Sequence, residues 1–364
     1  MVAGGTAPKE LVSVVIPTFN RAYCIAATID SVLAQTHNAV EVVVVDDGST
    51  DGTAELIADR YAGDDRVRCI RQPNQGVSVA RNTGFENARG EFVALLDSDD
   101  LWYPHKLAAQ LAVFRAHPEI GMVWSDLAAI DMDGQQMSAR YLRTMYHAWA
   151  YFRDDDLFAT KECLGDLAPE LAESFGETVV RTGMVYSQMI MGSLVHTSTV
   201  VLRKSRQEQV GGFHSRYRNL GEDYDFHLRT CQAGPVGFVD LSLIDYRRGN
   251  PDRLTRSEHH LDAALNFLRV IEPHIRDNRS AITLSNDMLN EVLAEAHLWI
   301  ADVAWTRGDM PLARTHYGAG LAHRPVGMMY RLKYVVSSLP TVVSQAVLGC
   351  GRLFKRSRKR LAAG

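Results

Sequence analysis

Through the first ~125 residues, short apolar runs alternate with stretches of helical spacing, a pattern that leaves few folds open beyond a parallel sheet with crossover helices. The runs Leu11–Ile16, Glu41–Val45, Val67–Ile70, Phe92–Leu96 and Met122–Trp124 read as strands. Between them, Ala22–Gln35, Thr53–Tyr61, Val77–Asn87 and Pro104–His117 carry apolar residues at helical intervals. In open α/β sheets the ligand crevice lies outside the carboxyl ends of the strands. Here those ends read Pro17-Thr18-Phe19-Asn20, Asp46-Asp47-Gly48-Ser49 and Asp97-Ser98-Asp99. Further on, Leu194–Arg203 and Val236–Tyr246 read as strands that complete a mixed sheet. Beyond Ser257 the pattern turns helical, with expected helices near 258–275, 284–306, 310–323 and 326–338.

Composition narrows the class. The 364-residue chain is 46% hydrophobic and 23% charged, as in globular proteins that bury a sizeable core. Its net charge of −4 is uneven: residues 352–364 hold six bases and no acid, so residues 1–351 sum to −10. A mildly acidic body argues against general nucleic-acid binding. The five cysteines are scattered without a CxxC pair, so no disulfide framework or zinc site is expected, and a reducing, cytoplasmic setting is. Residues 1–10 read as a flexible N-terminus without a secretory signal. Tyr334–Gly351 is uncharged, but Pro340 and several polar residues make it a poor spanning helix. The basic tail would be drawn to an anionic membrane face, with a solvated, frayed terminus as the alternative. Tyr141, Tyr146, Trp149, Tyr151 and Phe152 are read as core packing in preference to sugar stacking.

The strongest chemical signal is Asp97-Ser98-Asp99-Asp100, three carboxylates in four residues after a buried strand. In extended backbone Asp97 and Asp99 would share a face and Ser98 would turn away. Two carboxylates ~5 Å apart repel by about 3 kcal/mol at an effective dielectric near 20. A hard divalent cation such as Mg²⁺ or Mn²⁺ reverses that sign. The alternative is a surface turn whose aspartates cap a helix opened by Pro104. Asp46–Thr53 closes the second strand and opens a helix, where a carboxylate could accept from a nucleobase N–H or simply make a well-capped turn. Glu222, Asp223 and Asp225 could be first-turn acids favoured by the helix dipole.

Taken in order, Val12–Arg21, Val43–Thr53, Asn74–Gly84, Leu95–Asp100 and Gly221–Tyr224 give the chain more than any one segment does. It resembles the family 2 glycosyltransferases of the GT-A fold over roughly residues 10–256. The resemblance implies a Rossmann-like mixed sheet flanked by helices. It also implies inverting transfer of a sugar from a nucleotide-diphosphate donor, a UDP-sugar preferred, to an acceptor hydroxyl on a glycan or lipid-linked acceptor in polysaccharide biosynthesis. By the same resemblance, Pro17, Thr18 and Asn20 form the first nucleotide-binding loop, Asp47 meets the base and Arg81 lies near the donor. Asp97 and Asp99 form the DxD pair, with Asp99 the direct ligand of Mg²⁺ or Mn²⁺. Asp223 is the general base, and Glu222 supports it.

One departure stands out. Where the family often has a His after the last strand, this chain has Gly249, within Tyr246-Arg247-Arg248-Gly249, so Arg247, Arg248 or Arg253 would have to neutralise phosphate instead. The expected organisation is therefore a flexible 1–10, a GT-A domain at 11–256, a helical extension at 257–338 and an amphipathic, basic tail at 339–364. Within the extension, Ala301, Gly308, Ala313, Tyr317, Gly320 and Pro325 resemble one tetratricopeptide unit, too few for a solenoid and suited to packing on the catalytic domain or on a second subunit. An idle, glycosyltransferase-like scaffold and a sugar nucleotidyltransferase are the competing readings. The second lacks its early Gly-rich phosphate loop. A dinucleotide-binding oxidoreductase is disfavoured because no GxGxxG follows the first strand.

Overall fold

The computed structural model describes residues 10–217, 220–249, 259–325 and 327–339. Two compact units divide the chain: Met1–Arg218 with Glu222–Arg253, and Asn219–Gly221 with Leu254–Gly364.

The first unit is built on a mixed sheet. Its strands are β1 (Val12–Thr18), β2 (Val40–Asp46), β3 (Val67–Arg71), β4 (Phe92–Leu95), β5 (Leu101–Trp102), β6 (Met122–Ile130), β7 (Gln136–Ser138), β8 (Thr160–Cys163), β9 (Val179–Gly183), β10 (Val201–Arg203) and β11 (Val236–Arg247). They are ordered β3-β2-β1-β4-β10-β6-β11-β9-β8, with β5 on β11 and β7 on β6. β1 and β2, rich in valine, are buried along their whole length, as β-branched residues are in parallel strands covered on both faces. The helices of eight or more residues in this unit are α1 (Ile25–Leu33), α2 (Thr53–Arg60), α3 (Val77–Asn87), α4 (Lys106–Ala116) and α5 (Glu222–Gln232).

Strand direction decides where chemistry can gather. β1 is parallel to β2 and β4, and β3 is parallel to β2. β10 is antiparallel to both β4 and β6, and β6 is parallel to β11. Hence β1–β4, β6 and β11 all point their carboxyl ends to one edge, where β10 begins. Thr18, Asp46, the 97–100 turn, Arg247 and residues 196–200 converge there.

Several expectations need correction. Residues 97–100 are not extended: Asp100 N–H donates to Asp97 O at 3.2 Å, closing a turn. Ser98 is buried, and its carbonyl accepts from Thr28 Oγ1 at 3.0 Å and Cys24 Sγ at 3.4 Å. Pro104 does not open α4, which starts two residues later with His105 at its N-cap. The strand expected over Leu194–Arg203 shrinks to β10, because Thr197–Thr199 coils into a 3₁₀ turn. The strand expected at Met122–Trp124 instead runs on to Ile130.

The second unit is helical, with α6 (His260–Asp277), α7 (Asn286–Arg307), α8 (Met310–His323) and α9 (Met328–Ser337). Leu298, Ala301, Ala304, Ala313 and Tyr317 form its core between α7 and α8. Gly308, at φ +83°, ends α7 in the left-handed region that glycine tolerates, and the Asp309 side chain caps α8 by accepting from Leu312 N–H. Among the described residues no helix is long and apolar enough to cross a membrane. The basic tail, Arg253 and the expected flexible N-terminus before Glu10 fall outside the described residues.

Candidate active site

The first loop is set by β1 and β2. Asp47 N–H donates to Thr18 O at 2.8 Å, Asn20 N–H to Ser49 Oγ at 2.9 Å, and Thr50 N–H to Asn20 Oδ1 at 2.8 Å. Asn20 sits at φ +53°, a conformation asparagine accepts more readily than most residues. Pro17 is buried in β1, and the Thr18 hydroxyl is buried without a hydrogen-bond partner. Asp47 anchors the next loop: Oδ1 accepts from Gln72 Nε2 at 2.8 Å and Gln75 N–H at 2.9 Å, and Oδ2 from Gly76 N–H at 2.8 Å. The carboxylate expected to meet a base thus also fixes the loop that opens α3.

Arg81, on α3, joins the two acidic segments. Its Nη2 donates to Asp97 Oδ1 at 2.8 Å and its Nη1 to Glu222 Oε1 at 2.9 Å. The guanidinium lies over Phe213, 5.0 Å from the ring centroid, and is almost fully buried. Burial would lower its pKa, but Asp97 and Glu222 outweigh burial and hold it above its ordinary range. Burial would likewise raise Asp97, yet Arg81, with His196 and His227, keeps that carboxyl below its ordinary value. Glu222 goes the other way, pushed up to about 7 by burial and by Asp223 in spite of Arg81; its Oε2 is buried without a partner. Asp223 is half-buried, and its Oδ1 accepts from Tyr224 N–H at 2.8 Å. Asp225 belongs to the scaffold, accepting from Arg229 at 2.8 Å and lying 2.9 Å from His214.

The 97–100 turn is pinned from below and from β11. Asp97 N–H donates to Ser198 Oγ at 3.1 Å, and that hydroxyl donates to Asp100 Oδ2 at 2.6 Å. Arg247 N–H donates to Asp100 Oδ1 at 3.2 Å, and Arg247 Nε to Asp99 O at 3.2 Å. Burial pushes the Asp100 carboxyl well up, reinforced by the charges of Asp99 and Asp97. Asp99 lies near the start of α1, where its charge adds to burial in raising the Cys24 thiol. Gly249, at φ +90°, offers no side chain where the family often has a histidine.

Three aromatic or imidazole groups in this crevice lie outside the sequence expectation. Tyr146, read there as core, is half-buried; burial raises its hydroxyl, and so do Asp223, Asp97 and Asp100. His196 packs edge-on to Tyr246 at 5.0 Å; burial holds its imidazole below the ordinary value, opposed by Asp97 and Asp223. His227, one helical turn after Asp223, is pushed down to about 3 by burial, Arg81 and His196, and neither ring nitrogen has a partner. Single histidines carry no spacing signal, so only the fold could place them. Trp149 does join the core, 5.2 Å from Phe238.

Among the described residues no group of three or more His, Cys, Asp or Glu is arranged as a metal cage. The donor set nevertheless fits Mg²⁺ or Mn²⁺. Mg²⁺ in phosphate-transferring sites is typically held by one or two carboxylates plus substrate oxygens and water. Burial raises Asp100 first, and the charges of Asp99 and Asp97 add to it; that added repulsion is what such a cation relieves.

Residues 13–147 match the family model described as glycosyl transferase family 2. An uncharacterized glycosyltransferase of Nostoc sp. is 44% identical over 113 residues, 31% of this chain and 35% of the relative. Chondroitin synthase of Escherichia coli is 37% identical over 136 residues, 37% of this chain and 20% of the relative. The matched stretches thus span about a third or less of these two relatives. In fold, the chain is similar to S. aureus TarS in complex with UDP-GlcNAc, at a TM-score of 0.52 and 16% identity over 93% of this chain and 92% of the other. It is also similar to a mannosyltransferase of Pyrobaculum calidifontis in complex with GDP-Man and Mn²⁺, at a TM-score of 0.50 and 19% identity over 93% and 86%.

Proposed function

The chain carries a family 2 glycosyltransferase segment on a GT-A fold, and from that premise we propose that it transfers a sugar, with inversion, from a nucleotide-diphosphate donor to a glycan or lipid-linked hydroxyl in polysaccharide biosynthesis. The observation that carries this reading is the bridge made by Arg81, which draws the Asp97 turn and the Glu222-Asp223 helix start into one crevice. Pro17, Thr18, Asn20 and Asp47 hold the nucleoside. A UDP-sugar is the preferred donor because a strand-end carboxylate suits the uracil N–H.

Asp99, with Asp97, would hold Mg²⁺ or Mn²⁺ against the donor diphosphate. When bound, that ion neutralises charge growing on the leaving oxygen. The acceptor oxygen attacks the anomeric carbon as the bond to the diphosphate breaks, and the acceptor proton passes to Asp223. Glu222 and Arg81 are positioning residues for the two carboxylates that face substrate. Arg247, already on the Asp99 carbonyl, takes the phosphate-neutralising role that Gly249 cannot.

The test is thermal shift with UDP-, GDP- and dTDP-sugars, with and without Mn²⁺. A ligand at a hundredfold its Kd stabilises by about 2.7 kcal/mol, and the metal-dependent part should vanish in Asp99→Ala. An unchanged metal response in that variant would place the ion elsewhere.

A further inference from the structure

α9 presents two unlike faces. Tyr330 and Tyr334 pack on the core of the second unit, Ser337 is buried on the same side, and Lys333 pairs with Asp302 at 2.7 Å. On the opposite side stand Met328 (85% exposed), Leu332 (57%), Val335 (57%) and, just past the helix, Leu339 (40%). At helical spacing Met328, Leu332 and Val335 fall within about 60° of arc, an apolar stripe turned away from the core, with Leu339 following just past the helix end. Scattered exposed apolar residues are ordinary, but an aligned stripe marks a surface that is covered in use.

Charge identifies what covers it. Asp309 is the last acid of the chain; residues 310–364 contain ten lysines and arginines and no aspartate or glutamate, Arg331 on α9 among the bases. An apolar stripe set in a wholly basic segment matches a surface that is apolar beneath and negative on top. A second copy of the same segment would bring like charges together, which disfavours self-association. We propose that α9 is an interfacial helix whose Met328, Leu332, Val335 and Leu339 stripe lies in the headgroup region of an anionic lipid surface. The helix is too short to span a bilayer, so it lies in the plane of the interface. The inference is independent of the sugar-transfer reading, since none of these residues belongs to the crevice.

Flotation of the full chain with phosphatidylcholine vesicles, with and without phosphatidylglycerol, tests it. The chain should float with the anionic vesicles, weakly or not at all with the neutral ones, and less in high salt. Leu332→Glu/Val335→Glu should lower partitioning about tenfold or more. That double variant should keep its far-ultraviolet circular dichroism and its nucleotide-sugar thermal shift, which sets lost lipid contact apart from misfolding. A second variant, Leu332→Ser/Val335→Ser, removes the apolar stripe without adding charge and should lose binding as well. Wild-type flotation in both variants, or no flotation of the unaltered chain with anionic vesicles, would overturn the proposal. So would a dimer in sizing experiments that either variant splits, because the stripe would then be a contact between copies.

Discussion

Arg81 is buried and pairs both with Glu222, buried like it, and with Asp97, a third exposed, so its removal is costly. Arg81→Met should destabilise the protein by about 3–5 kcal/mol, as breaking a buried ion pair usually does, measured by urea unfolding. Glu222 adds a pH dependence whose sign follows from its raised pKa. The folded state keeps a proton between the ordinary value near 4.5 and about 7 that the unfolded state releases. This contribution is complete below pH ~4.5 and is lost as pH rises through about 7. Relative to Glu222→Gln, the unaltered protein should therefore lose stability across that window, and parallel pH curves for the two would contradict the assignment. At this scale the sequence is informative where residues cluster: Asp97 and Asp99 stand out as a run of acid after an apolar segment, and Glu222 and Asp223 as adjacent acids after Gly221. It is silent on His196 and His227 and reads Tyr146 only as core, each a lone residue brought in by the return of β10, by α5 and by the irregular 140s segment.

α3 carries Arg81, and its height above the sheet depends on Gly84, where an added Cβ would overlap Val15 Cγ1 in β1. Gly84→Ala should cost about 1–3 kcal/mol through overpacking. It should also lower sugar transfer more than a surface alanine of equal cost, because lifting α3 moves the guanidinium from both carboxylates. Elements of this kind were legible where one physical signal dominated. The valine runs of β1 and β2, and the apolar spacing of α3, match the observed spans closely. The end of β6 was hidden because Ser125 and Asp126 are polar yet fully buried, with Asp126 satisfied by Leu127 N–H, Leu142 N–H and Arg140. The 3₁₀ turn before β10 reads as strand in the sequence because its threonines favour strands, whereas Thr199 Oγ1 donates back to His196 O at 2.6 Å.

At the scale of the whole chain, each unit has a core of its own, so damage to one should be separable from function in the other. Tyr317→Ala, in the fully buried core of the helical unit, should destabilise by about 3–5 kcal/mol and leave the nucleotide-sugar dissociation constant unchanged in calorimetry. The mixed sheet and its helical continuation were legible from the spacing of apolar runs, and the order of motifs pointed to the GT-A fold that the comparisons bear out. Donor and acceptor were not legible, since both are chosen by side chains that loops bring together. The most direct measurement is sugar transfer and nucleotide binding by Asp223→Asn, side by side with the unaltered protein in Mn²⁺. Transfer should fall to background while the nucleotide-sugar binds with nearly the same affinity. Turnover close to that of the unaltered protein would mean that the acceptor proton goes elsewhere, and that the acidic crevice is not the reaction centre described.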